Sequence, residues 1–407
     1  MQKSSETKGQ EPPITTRIGT PQSADDGDPT FLPVGSNYPI YYIPVTLSNT
    51  QTTATSPNYQ VQIIINSNNN ALLYATNLSN VNWQDGVGTG TILKSWLESG
   101  ATNTSTSTTY WVNLGQDTID HQSQLTIYEM VYATNVMAMN NGNTGAYPSY
   151  SGITTGTYGL YDDGWAVFQS FYDNFAGGAL NATLWTAPNG GATVSNGLTF
   201  ASSATDLYLQ SVAATYSPIV TSFDANWSVV YPNNAGHYLD FGYNSRDGPT
   251  NYLQWRGVGG ATQAITRIAS VSTTFATQTT LNGYQIFSVW SNTTSANAIA
   301  VYANNNASST TNVDTTSVRL YIENNGGGAT LQTLNVGWVR LRLTAPNSVS
   351  PSVSVGALTT LKPSVSIAPQ YAVIDQGNSS SISYTVLSGG FNPYSFQWFA
   401  KGPSASS

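Results

Sequence analysis

"IVTSFDANWSVVY" (residues 219–231), "HYLDFGYNS" (237–245) and "NYLQWRGV" (251–258) follow one another in the middle of this chain. In each, apolar or aromatic residues alternate with polar ones, the period-two pattern of a strand with one buried face. Turns of Gly, Asn, Ser and Thr separate them, which is the rhythm of an antiparallel sandwich.

The pattern extends outward on both sides. "DLYLQSVA" and "ATVSNGLTFAS" precede these runs, and "AITRIASV", "YQIFSVWS", "AIAVYANN", "VRLYIENN" and "VGWVRLRLT" follow them. Residues 166–345 therefore hold roughly ten strands, the number expected of a jelly roll. Residues 36–165 carry a second set, including "YPIYYIPVTLSN", "NYQVQIIINS", "TTYWVNLG" and "QLTIYEMVYAT", and read as a separate β-sandwich. Residues 1–35 read as a flexible leader and 346–362 as a Pro- and Ser-rich linker. Residues 363–407 begin an Ig-like sandwich, with Trp398 in the place of its buried tryptophan. That stretch is about half of the roughly 100 residues such a domain needs, so the natural protein is expected to continue past Ser407. The fold class is all-β: an antiparallel β-sandwich, a jelly-roll sandwich and an incomplete Ig-like sandwich.

Only 8% of residues are charged, against 40% apolar and 12% aromatic. Such a chain can build cores, and hydroxyls and amides must keep it soluble. Lys and Arg total 12 against 20 Asp and Glu, a net charge of -8 that disfavours nucleic acid as a partner. No cysteine is present, which removes disulfides and thiolate sites. No run approaches the roughly 18 apolar residues of a membrane-spanning helix, and the first residues lack the apolar middle of a signal peptide. The charge-poor polar surface points to an extracellular or cell-surface protein.

Three local resemblances line up along the chain. "NYPIYYIPVTLSN", "LKSWLESG" with Trp96, Leu97 and Glu98, Tyr110 to Val112, and Ile127 to Ala133 together resemble a prokaryotic surface module catalogued as domain of unknown function 2341. "FYDNFAGGALNATLW" and "VGWVRLRLTAPNSVSPSVSVG" are similar to the entry and exit of concanavalin-like or laminin-G-like jelly rolls. "SGGFNPYSFQW" resembles the start of an Ig-like or PKD-like domain. These families imply adhesion, glycan contact or scaffolding, with glycans or other surface proteins as partners and self-association through the unfinished sandwich.

Enzymes of the concanavalin-like fold that resemble the laminarinase group carry Glu-x-Asp-x-x-Glu on one strand, where period two aims alternate acids at the substrate. Here the glutamates are Glu6, Glu11, Glu98, Glu129 and Glu323, and only the last lies in the jelly roll, with no acid two or five residues away. Asp206, Asp224, Asp240, Asp247 and Asp314 are each isolated along the chain, so a catalytic pair would have to be assembled across strands. Sugar binding needs aromatic faces beside amides and hydroxyls. Trp255 with Tyr252 and Arg256 is the first candidate, then Trp290 and Trp227. Asp162, Asp163 and Asp173 fall in "YDDGWAVFQSFYDNFAGG" and offer oxygens to a calcium ion, though turn and seam residues between two domains account for them more simply. His121 and His237 form no zinc signature. The expectation is a non-catalytic surface protein. The alternatives are a secreted carbohydrate-active enzyme on the jelly roll and a structural subunit of a layer or filament.

Overall fold

Strand follows strand from Tyr41 to Val131, as the period-two pattern requires. The computed structural model describes residues 39–136 except 88–89, residue 138, and most of 164–361. Within that last span it leaves out 177, 196, 201–206, 230–237, 245–251, 259–260, 269–270, 279–283, 293–296, 303–304, 313–317 and 326–333. Residues 364–368 and 383–388 are also described.

The first domain comprises β1 (Tyr41–Asn49), β2 (Gln60–Ile65), β3 (Val81–Gln84), β4 (Ile92–Ser99), β5 (Thr108–Asn113) and β6 (Ser123–Val131), paired antiparallel in the order β2-β5-β4-β3-β6-β1. Its core is built on Val45, Ile63, Trp83, Trp96 and Tyr110. A single helical turn, α1 (Gly164–Val167), leads into the second domain.

That domain runs through β7 (Tyr172–Asp173), β8 (Trp185–Thr186), β9 (Ala192–Val194), β10 (Leu198–Phe200), β11 (Leu207–Ser211), β12 (Thr221–Val229), β13 (Tyr238–Asn244) and β14 (Tyr252–Val258). It continues through β15 (Ala261–Ile268), β16 (Val271–Gln278), β17 (Gln285–Ser291), β18 (Asn297–Tyr302), β19 (Asn305–Asn312), β20 (Arg319–Asn325) and β21 (Leu334–Leu343). One sheet has the order β19-β18-β17-β12-β21-β10-β9, with β7 added on β21; the other is β16-β15-β14-β13-β20-β11-β8. Their facing sides enclose one core, in which Trp227 meets the Phe241 ring edge-on at 4.7 Å and Trp255 meets Phe287 at 4.9 Å. Offset and edge-on rings of this kind add about 0.5–1.5 kcal/mol per pair beyond the area they bury.

The first domain covers the far side of the eight-stranded sheet. Trp338 on β21 belongs to the first domain's core and lies 5.3 Å from the Trp96 ring. The stretch opening at Gly164 is the seam: Phe168 packs on Trp96 and Trp111, Tyr172 packs on Trp96, and Phe171 turns to Trp185 in the jelly roll. Gln60 joins both sides. Its amide nitrogen donates to the Val167 carbonyl at 3.3 Å, and its oxygen accepts from the Leu343 amide at 2.8 Å.

Part of the expected linker departs from that description. β22 (Ser352–Val355) and β23 (Thr359–Thr360) both pair antiparallel with β1, so the chain returns from the jelly roll and adds an edge to the first sheet. Alternating Ser and Val give β22 a strand pattern that the preceding proline, Pro351, and the serines around it obscure. Of the expected Ig-like domain, a two-stranded ladder of β24 (Ser364–Ala368) and β25 (Ser383–Ser388) is described. Trp398 lies outside the described residues. Among the described residues, no helix is long and apolar enough to cross a membrane.

Candidate active site

The seven-stranded sheet turns its second face away from the core, and strand register decides what stands there. Tyr208 on β11 pairs with Glu323 on β20, and Glu323 with Asp240 on β13. Asp240 pairs in turn with Arg256 on β14, and Arg256 with Gln263 on β15. Since partners directly across a ladder point to the same side, these five side chains form one row. The residues just before and after Asp240, Leu239 and Phe241, are buried in the core. Period two therefore sends Asp240 outward.

The row has an electrostatic centre. Arg256 grips Asp240 with two parallel hydrogen bonds, Nε donating to Oδ1 at 2.9 Å and a terminal nitrogen donating to Oδ2 at 2.9 Å. Burial lifts the Asp240 carboxyl above its usual range, against the pull of Arg256 and the nearby Gln254 amide. The Gln254 side-chain nitrogen is buried and has no hydrogen-bond partner at bonding geometry. Aromatic rings flank the row: Tyr208 and Tyr321 lie 5.5 Å apart, and Tyr252 has Arg256 at 5.5 Å on one side and Arg267 at 5.6 Å on another. Gly242, two residues beyond Asp240, has φ 153°, and a Cβ there would strike the Leu253 carbonyl and Gln254. Glycine thus allows β13 and β14 to close beside the row.

Two carboxylates, a guanidinium, two amides and three phenol rings on one sheet face make a surface fit for a hydroxylated ligand. Directly opposed residues on antiparallel strands have Cβ atoms about 4.5–5.5 Å apart. Direct opposition makes the two carboxyls neighbours on one face, the kind of pair that glycoside hydrolysis uses. Both acids are recessed: Asp240 is 1% and Glu323 8% exposed, while the Arg256 side chain is 17% exposed and forms the outer edge.

Trp255 and Trp227 offer no face to a sugar. Each is 1% exposed in the core between the sheets, and Trp255 donates its indole hydrogen to the Ser288 carbonyl at 2.9 Å. Period two explains the correction, because Gln254 and Arg256 point outward and Trp255 must point in. Trp290 is buried at the domain junction, with its nitrogen donating to Ser348 Oγ at 3.2 Å. Tyr252 and Arg256 do lie on the outward face. Asp173 accepts from the Phe175 amide and the Trp185 indole, both at 2.8 Å, as a residue shaping the seam does. Asp162 and Asp163 lie outside the described residues. Among the described residues, no group of three or more acids or histidines could hold a metal ion.

Two other acids meet at the junction of the domains. Arg340 donates to Glu98 Oε2 at 2.7 Å and to Asp224 Oδ2 at 2.9 Å, and Arg342 adds a second bond to Asp224 at 2.9 Å. Burial works to raise the Asp224 carboxyl, but Arg342 and Arg340 together hold it below its usual range. A carboxylate kept ionised and engaged in this way is a poor proton donor, so this cluster reads as a joint rather than a reaction centre. Glu129, in the first domain's interior, is pushed up to about 8 by burial, with the Tyr74 hydroxyl donating to it at 3.3 Å.

No family model matches the chain, so the resemblances to domain of unknown function 2341 and to Ig-like or PKD-like domains gain no support there. No curated protein matches either. Solved structures do show a likeness over part of the chain. A lichenase from a mouse hindgut metagenome is 11% identical, with 42% of this chain aligned to 98% of that one at a TM-score of 0.34. The Crh5 transglycosylase is 13% identical, over 43% and 85%, at 0.35. The carbohydrate recognition domain of Emp47p is 11% identical, over 42% and 94%, at 0.36. Residues 164–343 form a concanavalin-like β-sandwich, as their own two facing sheets require.

The expectation of a non-catalytic protein, with an enzyme set aside, is corrected here. The similar solved structures are for the most part glycoside hydrolases and related enzymes. Acids that look isolated along the chain also stand side by side across strands. The likeness is one of fold alone, so any chemistry must be argued from the sheet itself.

Proposed function

We propose that this protein is a secreted carbohydrate-active enzyme that cleaves or transfers glycosidic bonds on the outward face of its seven-stranded sheet. The observation that carries the reading is the direct cross-strand pairing of Asp240 with Glu323. The charge-poor, hydroxyl-rich composition supports placing it outside the cell.

Two adjacent acids divide the work by environment. Asp240, bonded by the Arg256 fork, is the nucleophile. Glu323 is the acid and base. In the first step Glu323 gives its proton to the glycosidic oxygen as the Asp240 oxygen bonds to the anomeric carbon and the leaving sugar departs. In the second, Glu323 takes a proton from water, or from the hydroxyl of an acceptor sugar. That oxygen then displaces Asp240 from the anomeric carbon. The guanidinium of Arg256, at the solvent side of the pair, turns from Asp240 to the sugar's hydroxyls as the substrate enters. Tyr208 supplies a stacking face at one end of the row.

Retention of configuration is the outcome assigned to this pair, because its members are directly opposed neighbours. Proton NMR of the first product formed from a β-linked glucan should show the β anomer before mutarotation. Appearance of the α anomer first would overturn the assignment of Asp240 as nucleophile.

A further inference from the structure

A cavity of about 670 Å³ lies between the two domains, on the opposite side of the jelly roll from the acid pair. This is an ordinary size for a small-molecule site, whose usual range is about 300–1,000 Å³. Tyr59, Gln62 and Trp111 line it from the first domain, and Asn226, Ser288 and Arg342 from the eight-stranded sheet.

Its polar groups are incompletely engaged. Asn226 is 7% exposed, and its side-chain oxygen is buried without a hydrogen-bond partner. A buried acceptor left in that state carries a desolvation cost, which a ligand hydroxyl would recover. Arg342 bonds Asp224 through Nε alone, so its two terminal nitrogens have no hydrogen-bond partner among the described residues. The charge of the wall is balanced: Arg340 and Arg342 stand against Glu98 and Asp224. An anion entering would upset that balance, whereas a neutral ligand would not. Gln62 is exposed and the Arg342 side chain is 14% exposed, so solvent reaches the cavity.

One unpartnered acceptor, a pair of guanidinium donors, an aromatic wall and no net charge match a neutral sugar unit. We infer that this interdomain cavity is a second glycan-binding site, which takes one or two residues of an uncharged saccharide and is separate from the Asp240–Glu323 face. Ligand bound there contacts both domains and so stabilises their joint. The inference requires no turnover on the outer face.

The test uses the full chain carrying Asp240→Asn, so that nothing is cleaved, titrated by calorimetry and NMR with cellotriose, maltotriose and xylotriose. At least one should bind saturably. Asn226→Ala and Arg342→Gln, each shown to be folded by its melting curve, should weaken that binding at least tenfold. Added Glu323→Gln should leave it unchanged, which separates this site from the catalytic face. Absence of binding by all three sugars, equal binding in the cavity variants, or tighter binding of glucuronate than of the neutral sugars would overturn the inference.

Discussion

Glu129 is the residue whose chemistry departs furthest from its ordinary state. It sits on β6 opposite Ile43 and Trp83, 1% exposed, with one carboxyl oxygen unpartnered. Burial raises its carboxyl to about 8 in the folded protein, from 4.5 for a free glutamate side chain. Between those values the native state holds a proton that the unfolded chain has released, so stability falls as pH rises through this window. The slope is about 1.4 kcal/mol per pH unit for one group. Urea unfolding should therefore give a more stable protein at pH 5 than at pH 8, and Glu129→Gln should flatten the difference. A wild type equally stable at both values would contradict the account. Alternation along "LTIYEMV" sets this glutamate on the face of Ile127 and Val131, both buried, so its inward direction was legible even though a carboxylate is an unexpected residue there. Trp255 follows the same rule. Its inward direction was legible from Gln254 and Arg256, once their polarity is read as marking the other face.

At the scale of elements, β21 carries the joint. Its Arg340 lies 4.3 Å from the Trp111 ring centre and 4.5 Å from that of Trp338, between Glu98 of β4 and Asp224 of β12. Arg340→Met would leave the buried Glu98 carboxylate without its cation and Asp224 with Arg342 alone, and should destabilise the protein by about 3–5 kcal/mol. Adding Glu98→Gln should recover part of that loss. Denaturant midpoints measure both, and a single-variant effect below about 1 kcal/mol would contradict the role given to Arg340. "VGWVRLRLT" announced the strand, while the partners of its arginines are far away in sequence. The acid pair was hidden for the same reason. A search for acids along one strand examines period two within β13 or β20. Asp240 and Glu323 meet only because β13 and β20 are neighbours in the sheet, although six strands separate them in the chain. Pairing order of this kind comes from tertiary packing, which local patterning does not encode.

At the scale of the whole molecule, three sheet faces are accounted for. One side of the eight-stranded sheet meets the seven-stranded sheet in the core, and its other side meets the first domain across the seam. The aromatics of residues 161–185 made that seam legible, since Phe168, Phe171 and Tyr172 have no strand of their own long enough to bury them. The return of β22 and β23 to β1 was not legible, because a proline- and serine-rich stretch carries the same composition whether it is a hinge or an edge strand. The outward face of the seven-stranded sheet then remains for the substrate, and the central claim is that Asp240 and Glu323 act there together. The most direct measurement is release of new reducing ends from a panel of polysaccharides by the wild-type chain, beside Asp240→Asn and Glu323→Gln variants with unchanged melting curves. The account predicts turnover of at least one polysaccharide, reduced about 10²–10⁴-fold or more in each variant. Turnover that survives both substitutions, or a wild type inert on every polysaccharide tested, would contradict it.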